Sequence, residues 1–457
     1  MKRLAARFHP ELALLILVAV LTRALALARP AATVFDEIHF GQYAASYFTH
    51  QFYFDLHPPL GQLLFAGWAW LFDAGTRPAV DGPATVLRLL AALAGIAIVA
   101  LVYGVLRRLT GSRLAAFLAG LAIALDGAFV AQARFVLVDN FLIAFGLGAV
   151  YAALRWRGHP RAGWLILAGL MAGGAVSIKW TGLSALALVL VIVVREEFAR
   201  ARAGSRRSVE LAVVVFLAAL VYVAPFRIHF GLLTRSGTGD EFMPEDFQAA
   251  LIGNPDYLPS AGPGFWTKFL ELNQAMYEGN ATLTATHPYG SRWYTWPAEA
   301  RPIHYWDGPY RLADGRQGNI YLIGNPLVWW PASLSVIVAI VLLIRNWRAL
   351  RKRSLLQALA FLILAYLLNW LPFAAIGRVM FLYHYLFAAI ASVMILATLI
   401  GSALPEDPRW TRSPRHWAAL GFIALSVGGF LFFSPLTYGW PMTPAQHDAR
   451  VWLSGWR

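Results

Sequence analysis

The chain contains no cysteine and unusually little charge. Of its 457 residues, 14% are charged and 59% are hydrophobic, whereas soluble proteins carry roughly 25% charged residues. The absence of cysteine excludes disulfides, thiolate metal sites and thiol catalysis. The scarcity of charge excludes a disordered chain and an ordinary soluble enzyme, and it predicts a polytopic membrane protein.

Apolar stretches long enough to cross a bilayer recur along the sequence. A span needs about 20 apolar residues, and about eleven such stretches are present. They begin near Leu12, Val86, Leu114, Phe141, Gly163, Leu183, Val209, Leu327, Leu355, Val379 and Ala418. The sequence therefore predicts an all-α polytopic membrane protein in which residues 1–457 form one integral unit. The first stretch is interpreted as a retained helix rather than a secretory signal, because so many spans follow it.

Acidic residues are the scarcer charged type, with 24 Asp and Glu against 38 Lys and Arg, and the net charge is +14. The arginines cluster in alternate loops, which the positive-inside rule assigns to the cytoplasm, so we expect a membrane partner and no nucleic acid. The opposite, extracytoplasmic side receives two long loops, 29–85 and 227–326. Loops of this length usually carry function.

Isolated cations occur in three short connections on the side of the long loops. These are Arg134, which precedes Asp139, then Lys179, and finally Arg378. The orientation rule disfavours positive charge there, and an anion such as phosphate is the simplest reason for it. The alternative is a local ion pair between Arg134 and Asp139, with the other two cations reaching lipid headgroups.

The first long loop contains two adjacent acids followed by histidines and aromatic residues. Ring residues at helical spacing after Asp36 predict a short surface helix, for which Asp36 is either the N-cap or a functional acid. Because neighbouring residues point in different directions, one of Asp36 and Glu37 is expected to face a substrate. His39, His57 and His384 match no zinc spacing, so we assign no metal site and leave metal dependence open.

The second long loop is rich in Trp, Tyr and His. Its central residues lie far from either predicted span end, so they suit stacking on a sugar or peptide better than interfacial anchoring. The candidate substrate-binding residues from both loops and the short connections are His57, Asp139, His287, Ser291, Trp296 and His384.

Taken together, these motifs resemble the protein O-mannosyltransferases, polytopic enzymes of the C-type glycosyltransferase (GT-C) fold. The matching segments follow the family order over most of the chain. They are Asp36-Glu37, His39-Phe40-Gly41, the segment from Asp55 to Gly61, Arg134 with Asp139-Asn140, Lys179-Trp180, His287-Pro288-Tyr289, Ser291, Trp296-Pro297, Gly324-Asn325-Pro326 and Tyr383-His384-Tyr385. Each segment alone is a weak signal, but the ordered set is specific.

The resemblance implies a catalytic acid at Asp36, with Glu37 beside it, and a donor-phosphate pocket at Arg134, Lys179 and Arg378. It implies a polyprenyl-phosphate mannose donor, a protein acceptor with Ser or Thr hydroxyls, and no required cofactor. The second loop is too short for the β-rich MIR domain of eukaryotic members. The chain is therefore similar to the bacterial branch, which implies a bacterial inner membrane and an active site on its extracytoplasmic side.

The donor chemistry explains why one acid suffices. The phosphodiester leaving group is already a stable oxyanion, so cations replace the general acid, and only a base such as Asp36 is needed. Displacement in line inverts the anomeric carbon. One alternative is another GT-C enzyme, such as an aminoarabinose transferase acting on lipid A, which should lack the HPYGS and YHY elements. The other is a transporter, which predicts broken helices at matching places in two halves.

Overall fold

The structure is a computed structural model that describes residues 9–72, 85–202, 209–260, 262–308, 312, 315–350, 352–403 and 413–457. The helices are α1 Pro10–Ala24, α2 Glu37–Thr49, α3 Leu60–Leu71, α4 Thr85–Thr110, α5 Arg113–Ala124, α6 Gly127–Ala133, α7 Asp139–Gly158, α8 Ala162–Ile178, α9 Leu183–Arg202, α10 Val209–Leu232, α11 Glu245–Ala249, α12 Phe265–Thr282, α13 Pro326–Arg345, α14 Ser354–Leu368, α15 Leu386–Thr398, α16 Pro414–Tyr438 and α17 Pro444–Asp448. Strands β1 Ile303–Asp307 and β2 Asn319–Leu322 pair antiparallel.

The predicted apolar stretches all contain a helix. Within the described residues, six helices are long and apolar enough to cross a membrane, or up to seven if one bent pair counts as a span. These are α4, α10, α13, α16 and the helical segments Ser354–Ala375 and Leu382–Ala403. The polytopic, mostly helical architecture is therefore confirmed, while fewer helices meet the length and composition criteria than the sequence predicts.

The bent pair consists of α5 and α6, which meet at an angle of 61°. The sequence predicts one continuous span here, and two buried charges explain the difference. Arg23 of α1 donates to the carbonyl oxygens of Ile123 and Ala124 at 2.9 and 2.7 Å. Asp126 caps α6 by accepting from two of its backbone N–H groups. The backbone groups that the break exposes are thus satisfied inside the protein.

The described residues within 29–72 and 233–325, from the two long loops, form one layer at the end of the bundle that we call the loop side. The predicted surface helix of the first loop is α2. Backbone bridges join Gln51 to Arg235 and Arg235 to Ile252, so the first loop pairs directly with the second. Residues 73–84 and short parts of the second loop lie outside the described residues. This layer positions the candidate site.

Candidate active site

Asp36 lies in the turn that precedes α2. It occupies the N-cap position, but its side chain makes no capping hydrogen bond. The preceding residue, Phe35, has a φ of 52°, a left-handed conformation that costs energy in a residue other than glycine. The Phe35 ring stacks on Tyr305 at 4.4 Å and meets the edge of Tyr383 at 6.4 Å. These contacts hold the turn beside Tyr383 and leave the Asp36 carboxylate available for another role.

The Asp36 carboxyl is tuned by its surroundings. Burial raises its pKa to about 6, the nearby Lys179 ammonium and His39 oppose the increase, and the Asp139 carboxylate adds to it. A carboxyl with this pKa is ionised at neutral pH and more basic than an exposed aspartate. These are the properties of a general base.

Lys179 follows the C-terminus of α8 and is buried. Its Nζ is 2.7 Å from Asp139 Oδ1 and lies 5.0 Å from the centre of the Tyr383 ring. Asp139 Oδ2 accepts a hydrogen bond from Gln132 Nε2 at 3.1 Å, and Gln132 Oε1 accepts one from the Tyr305 hydroxyl at 2.6 Å. An ammonium group has three donors, so Lys179 can bind an anion while it remains paired with Asp139.

Two adjoining cavities, which we call the cleft, lie beside Lys179. Their shared lining consists of Lys179, Trp180, Thr181, Phe373, Ile376 and His384. The first cavity, of about 290 Å³, extends along apolar side chains that include Leu142, Leu183, Leu368 and Phe387. The second, of about 400 Å³, is lined also by His57, Asn280 and Arg378. One part of the cleft suits an apolar chain, and the other suits an anionic head group.

Two histidines line the cleft. Burial, together with the charges of Lys179 and Arg378, lowers the pKa of His57 well below its usual value, so this ring is neutral. His384 is fixed by the contact of its Nδ1 with the Phe381 backbone N–H at 3.2 Å, and it stacks on Tyr383 at 4.4 Å. Among the described residues, no group of three or more His, Cys, Asp or Glu side chains is arranged to hold a metal ion.

The predicted residues of the second loop support His384 rather than line the cleft. The buried Trp296 ring stacks on His384 at 5.9 Å. Trp296 Nε1 donates to Ser291 Oγ at 2.9 Å. The Ser291 backbone N–H in turn donates to the carbonyl oxygen of Met380 at 2.8 Å. His287 is exposed, and its ring lies 5.1 Å from Phe381.

The Glu37 carboxylate is occupied by hydrogen bonds to other parts of the protein, among them an ion pair with Arg88. Its carboxylate accepts from Arg88 Nε and Nη2 at 2.8 and 2.6 Å, and from the backbone N–H groups of Val34 and Val136, both at 2.9 Å. Both residues of the ion pair are only about 1% exposed. Glu37 is therefore committed to these hydrogen bonds, whereas the half-buried Asp36 makes no side-chain capping bond.

Arg134 is not brought to the cleft. Its guanidinium donates to the carbonyl oxygens of Thr437, Ala26 and Arg29 at 2.9, 2.7 and 3.0 Å, and the residue is fully buried. The alternative of an Arg134 pair with Asp139 is also wrong, because Asp139 pairs with Lys179. The physical reason is that backbone carbonyl oxygens, which no sequence motif marks, provide the negative partners of this guanidinium.

Asp55, the first residue of the Asp55–Gly61 motif, is a further candidate for the site. Burial raises its pKa to about 7, which the Lys179 ammonium opposes, and the Gln62 side chain donates a hydrogen bond to Oδ2. Its position two residues before His57, in a motif already noted, was the available signal. Asp55 and Asp36 are therefore two carboxyls of raised pKa that share the influence of one ammonium.

The structure is a helical membrane bundle that places an acid and cations beside a cleft with one apolar and one polar part. This is the architecture of a membrane glycosyltransferase of the GT-C fold. A family model described as dolichyl-phosphate-mannose-protein mannosyltransferase matches residues 13–234. A second, described as the C-terminal four TMM region of protein-O-mannosyltransferase, matches residues 265–456. The chain belongs to the protein O-mannosyltransferase family, as its motifs predict.

Individual relatives agree with this assignment. The polyprenol-phosphate-mannose–protein mannosyltransferase of Corynebacterium glutamicum is 27% identical over 453 residues, which cover 88% of this chain and 81% of the relative. The Saccharomyces cerevisiae Pmt1-Pmt2 complex bound to the sugar donor gives a TM-score of 0.87 at 20% identity, covering 100% of this chain and 94% of that chain. ArnT from Cupriavidus metallidurans bound to undecaprenyl phosphate gives 0.54 at 15% identity, covering 93% and 76%. The family matches favour mannosyl transfer over the aminoarabinose alternative.

Proposed function

We propose that the chain transfers mannose from polyprenyl-phosphate mannose to Ser or Thr hydroxyls of proteins. The observation that carries this proposal is the cleft, where Lys179 and Arg378 lie next to apolar walls and Asp36 lies within the electrostatic reach of Lys179. A donor with a prenyl tail and a phosphate matches both parts of the cleft. The names of the relatives support polyprenol-phosphate mannose as donor and a protein as acceptor, and the family resemblance implies the Ser or Thr hydroxyl.

In the proposed mechanism, Asp36 accepts the proton of the acceptor hydroxyl while the oxygen of that hydroxyl attacks the anomeric carbon. The bond from that carbon to the phosphate oxygen breaks, and its electron pair leaves with the phosphate. Lys179 and Arg378 stabilise the charge of the departing polyprenyl phosphate, so no acid has to protonate it. Attack and departure occur on opposite faces, which inverts the anomeric configuration. These steps require no cofactor.

The reaction is proposed to occur at the extracytoplasmic face of a bacterial inner membrane. Arginines at the ends of α4, α7 and α13 lie away from the loop side, and the positive-inside rule assigns such ends to the cytoplasm. The cleft opens among residues of the loop side. A prenyl tail is as apolar as the bilayer core, so the donor reaches the cleft from the membrane.

Replacing Lys179 with Ala is expected to weaken donor binding about 10- to 100-fold, because a charge-assisted hydrogen bond is worth about 1.5–3 kcal/mol. Peptide affinity should change little. The measurement is the KM for each substrate with purified protein, mannosyl-phosphoprenol and a Ser/Thr-rich peptide. The matched control is Arg301→Ala, which removes an exposed cation from the same side of the protein. A larger loss of peptide affinity than of donor affinity would contradict the assignment.

Transfer is expected to depend on pH through Asp36. Because the base must be ionised, kcat/KM for the donor, which reports the donor-free enzyme, should fall about tenfold per pH unit below a midpoint near 6 and level off above it. Removing the Lys179 charge should move this acid limb to higher pH, because the ammonium lowers the pKa of Asp36.

Asp55→Asn distinguishes the two carboxyls in the same assay. If Asp36 is the base, the variant keeps an acid limb near pH 6, whatever its absolute rate. Loss of the limb in Asp55→Asn would assign the base to Asp55 instead, and a flat profile in the parent would remove both acids from the proton transfer.

A further inference from the structure

We propose that a cavity separate from the cleft, on the opposite side of the protein, binds the phosphate head group of an anionic phospholipid. This lipid cavity lies between the ends of α4, α7, α9 and α14, and its lining residues are Leu109, Leu154, Arg157, Val191, Ile192, Arg195, Ser354, Gln357, Ala358 and Phe361. Its volume is about 70 Å³, several times the ~15 Å³ that one water molecule requires. The proposal does not depend on the reaction proposed above.

The polar part of the lipid cavity carries two arginines. Arg195 Nη2 donates to Gln357 Oε1 at 2.7 Å, which fixes one edge of the guanidinium and connects α9 to α14. Arg157, at the end of α7, provides the second guanidinium. Ser354 is the first residue of α14, a 15-residue helix, so the positive end of that helix faces the same space. Guanidinium groups bind phosphate through paired N–H donors, and this site offers two of them.

None of the residues that line the lipid cavity is acidic, so no negative side chain of the lining pairs with these arginines. Two nearby acids are occupied elsewhere: Glu196 and Glu210 lie 3.4 and 3.3 Å from the guanidinium of Arg200. Arg200 in turn packs over the Trp156 ring at 4.7 Å. In the part of the chain that the structure describes, no ion pair neutralises Arg157 or Arg195, so their positive charge is left for an external anion.

The remaining lining identifies the anion as part of a lipid. The polar residues lie at the start of α14 and near the end of α7, where membrane helices meet water. Towards the bilayer the wall consists of Leu109, Leu154, Val191, Ile192, Ala358 and Phe361. Leu154, Ile192 and Ala358 are buried, while Val191 is 40% exposed, so the wall reaches the membrane at Val191. A ligand with a phosphate at one end and acyl chains at the other satisfies both parts, as basic pockets between membrane helices do.

The test measures the unfolding temperature of the detergent-purified full chain during titration with phosphatidylglycerol, phosphatidylcholine or inorganic phosphate. Phosphatidylglycerol should raise the unfolding temperature of the parent, because a ligand that binds only the folded state stabilises it. Phosphatidylcholine and inorganic phosphate should have little effect. The double variant Arg157→Gln/Arg195→Gln should bind phosphatidylglycerol at least about tenfold more weakly, since it loses two charge-assisted contacts.

The control is Arg345→Gln, which removes an exposed arginine from the same side of the protein outside the lipid cavity. This variant should respond like the parent. An unchanged response in the double variant, or an equal loss in Arg345→Gln, would overturn the proposed site. An equal effect of phosphatidylcholine, or of inorganic phosphate alone, would overturn the anionic phospholipid as its ligand.

Discussion

Asp36→Asn is expected to lower kcat about 10²- to 10⁴-fold, the contribution of a correctly placed general base. The substitution keeps the size and polarity of the side chain but removes its ability to accept a proton. Asp36 makes no capping bond to α2, so the helix should remain intact. The measurement is single-turnover mannose transfer from mannosyl-phosphoprenol to a Ser/Thr-rich peptide, analysed together with donor affinity.

Donor affinity is the internal control for Asp36→Asn, because Lys179 and the cleft are unchanged, so the donor should bind at least as tightly as in the parent. Gln42→Ala, an exposed change on the same helix, should transfer at the parental rate. If Asp36→Asn transfers mannose as fast as the parent, Asp36 is not the base. A matching loss in Gln42→Ala would show that the assay reports on α2 rather than on proton transfer.

Glu37→Gln is expected to destabilise the protein by about 3–5 kcal/mol, because it leaves the buried Arg88 without its charged partner. Arg88 also donates to the carbonyl oxygens of Leu27, Pro30 and Ala32, so the turn that carries Asp36 should loosen as well. The measurement is the unfolding midpoint in a denaturing detergent, compared with that of Asp36→Asn, which should resemble the parent.

The double variant Glu37→Leu/Arg88→Met is the control for the charge. It removes both members of the pair, so it should recover part of the stability that Glu37→Gln loses. If Glu37→Gln retains the full stability of the parent yet loses transfer, Glu37 acts in the chemistry. Its four hydrogen bonds would then not describe its working state.

The sequence predicts the class of site because its strongest signals are local. The pair Asp36-Glu37, the lone Lys179 and the aromatic residues before His384 are all visible in short segments. The structure brings both Asp36 and His384 within the electrostatic range of Lys179. The sequence also predicts that one of the two acids faces the substrate. The direction argument alone does not choose between them, and only the family resemblance points to Asp36, because the partner of Glu37 is Arg88, inside an apolar stretch 51 residues away.

Arg134 shows why an argument from isolated charge is incomplete. A lone cation near a membrane surface needs negative partners, and phosphate is one possibility. In the structure those partners are backbone carbonyl oxygens, and one of them belongs to Thr437, which lies 303 residues further along the chain. Every residue has a carbonyl group, so composition and motifs give no sign of which ones converge. The break between α5 and α6 escaped prediction for a similar reason, since Arg23 satisfies it from another helix.

The position of Lys179 has a consequence for the order of events. Its ammonium holds the pKa of Asp36 below the value that burial alone would set. In the proposed mechanism a polyprenyl phosphate takes up that positive charge, so the restraint weakens and the Asp36 carboxylate becomes a stronger base. The hydroxyl-activating power of the enzyme therefore increases only once a sugar donor has arrived. One cation, Lys179, thus couples donor binding to the basicity of Asp36 without a conformational change.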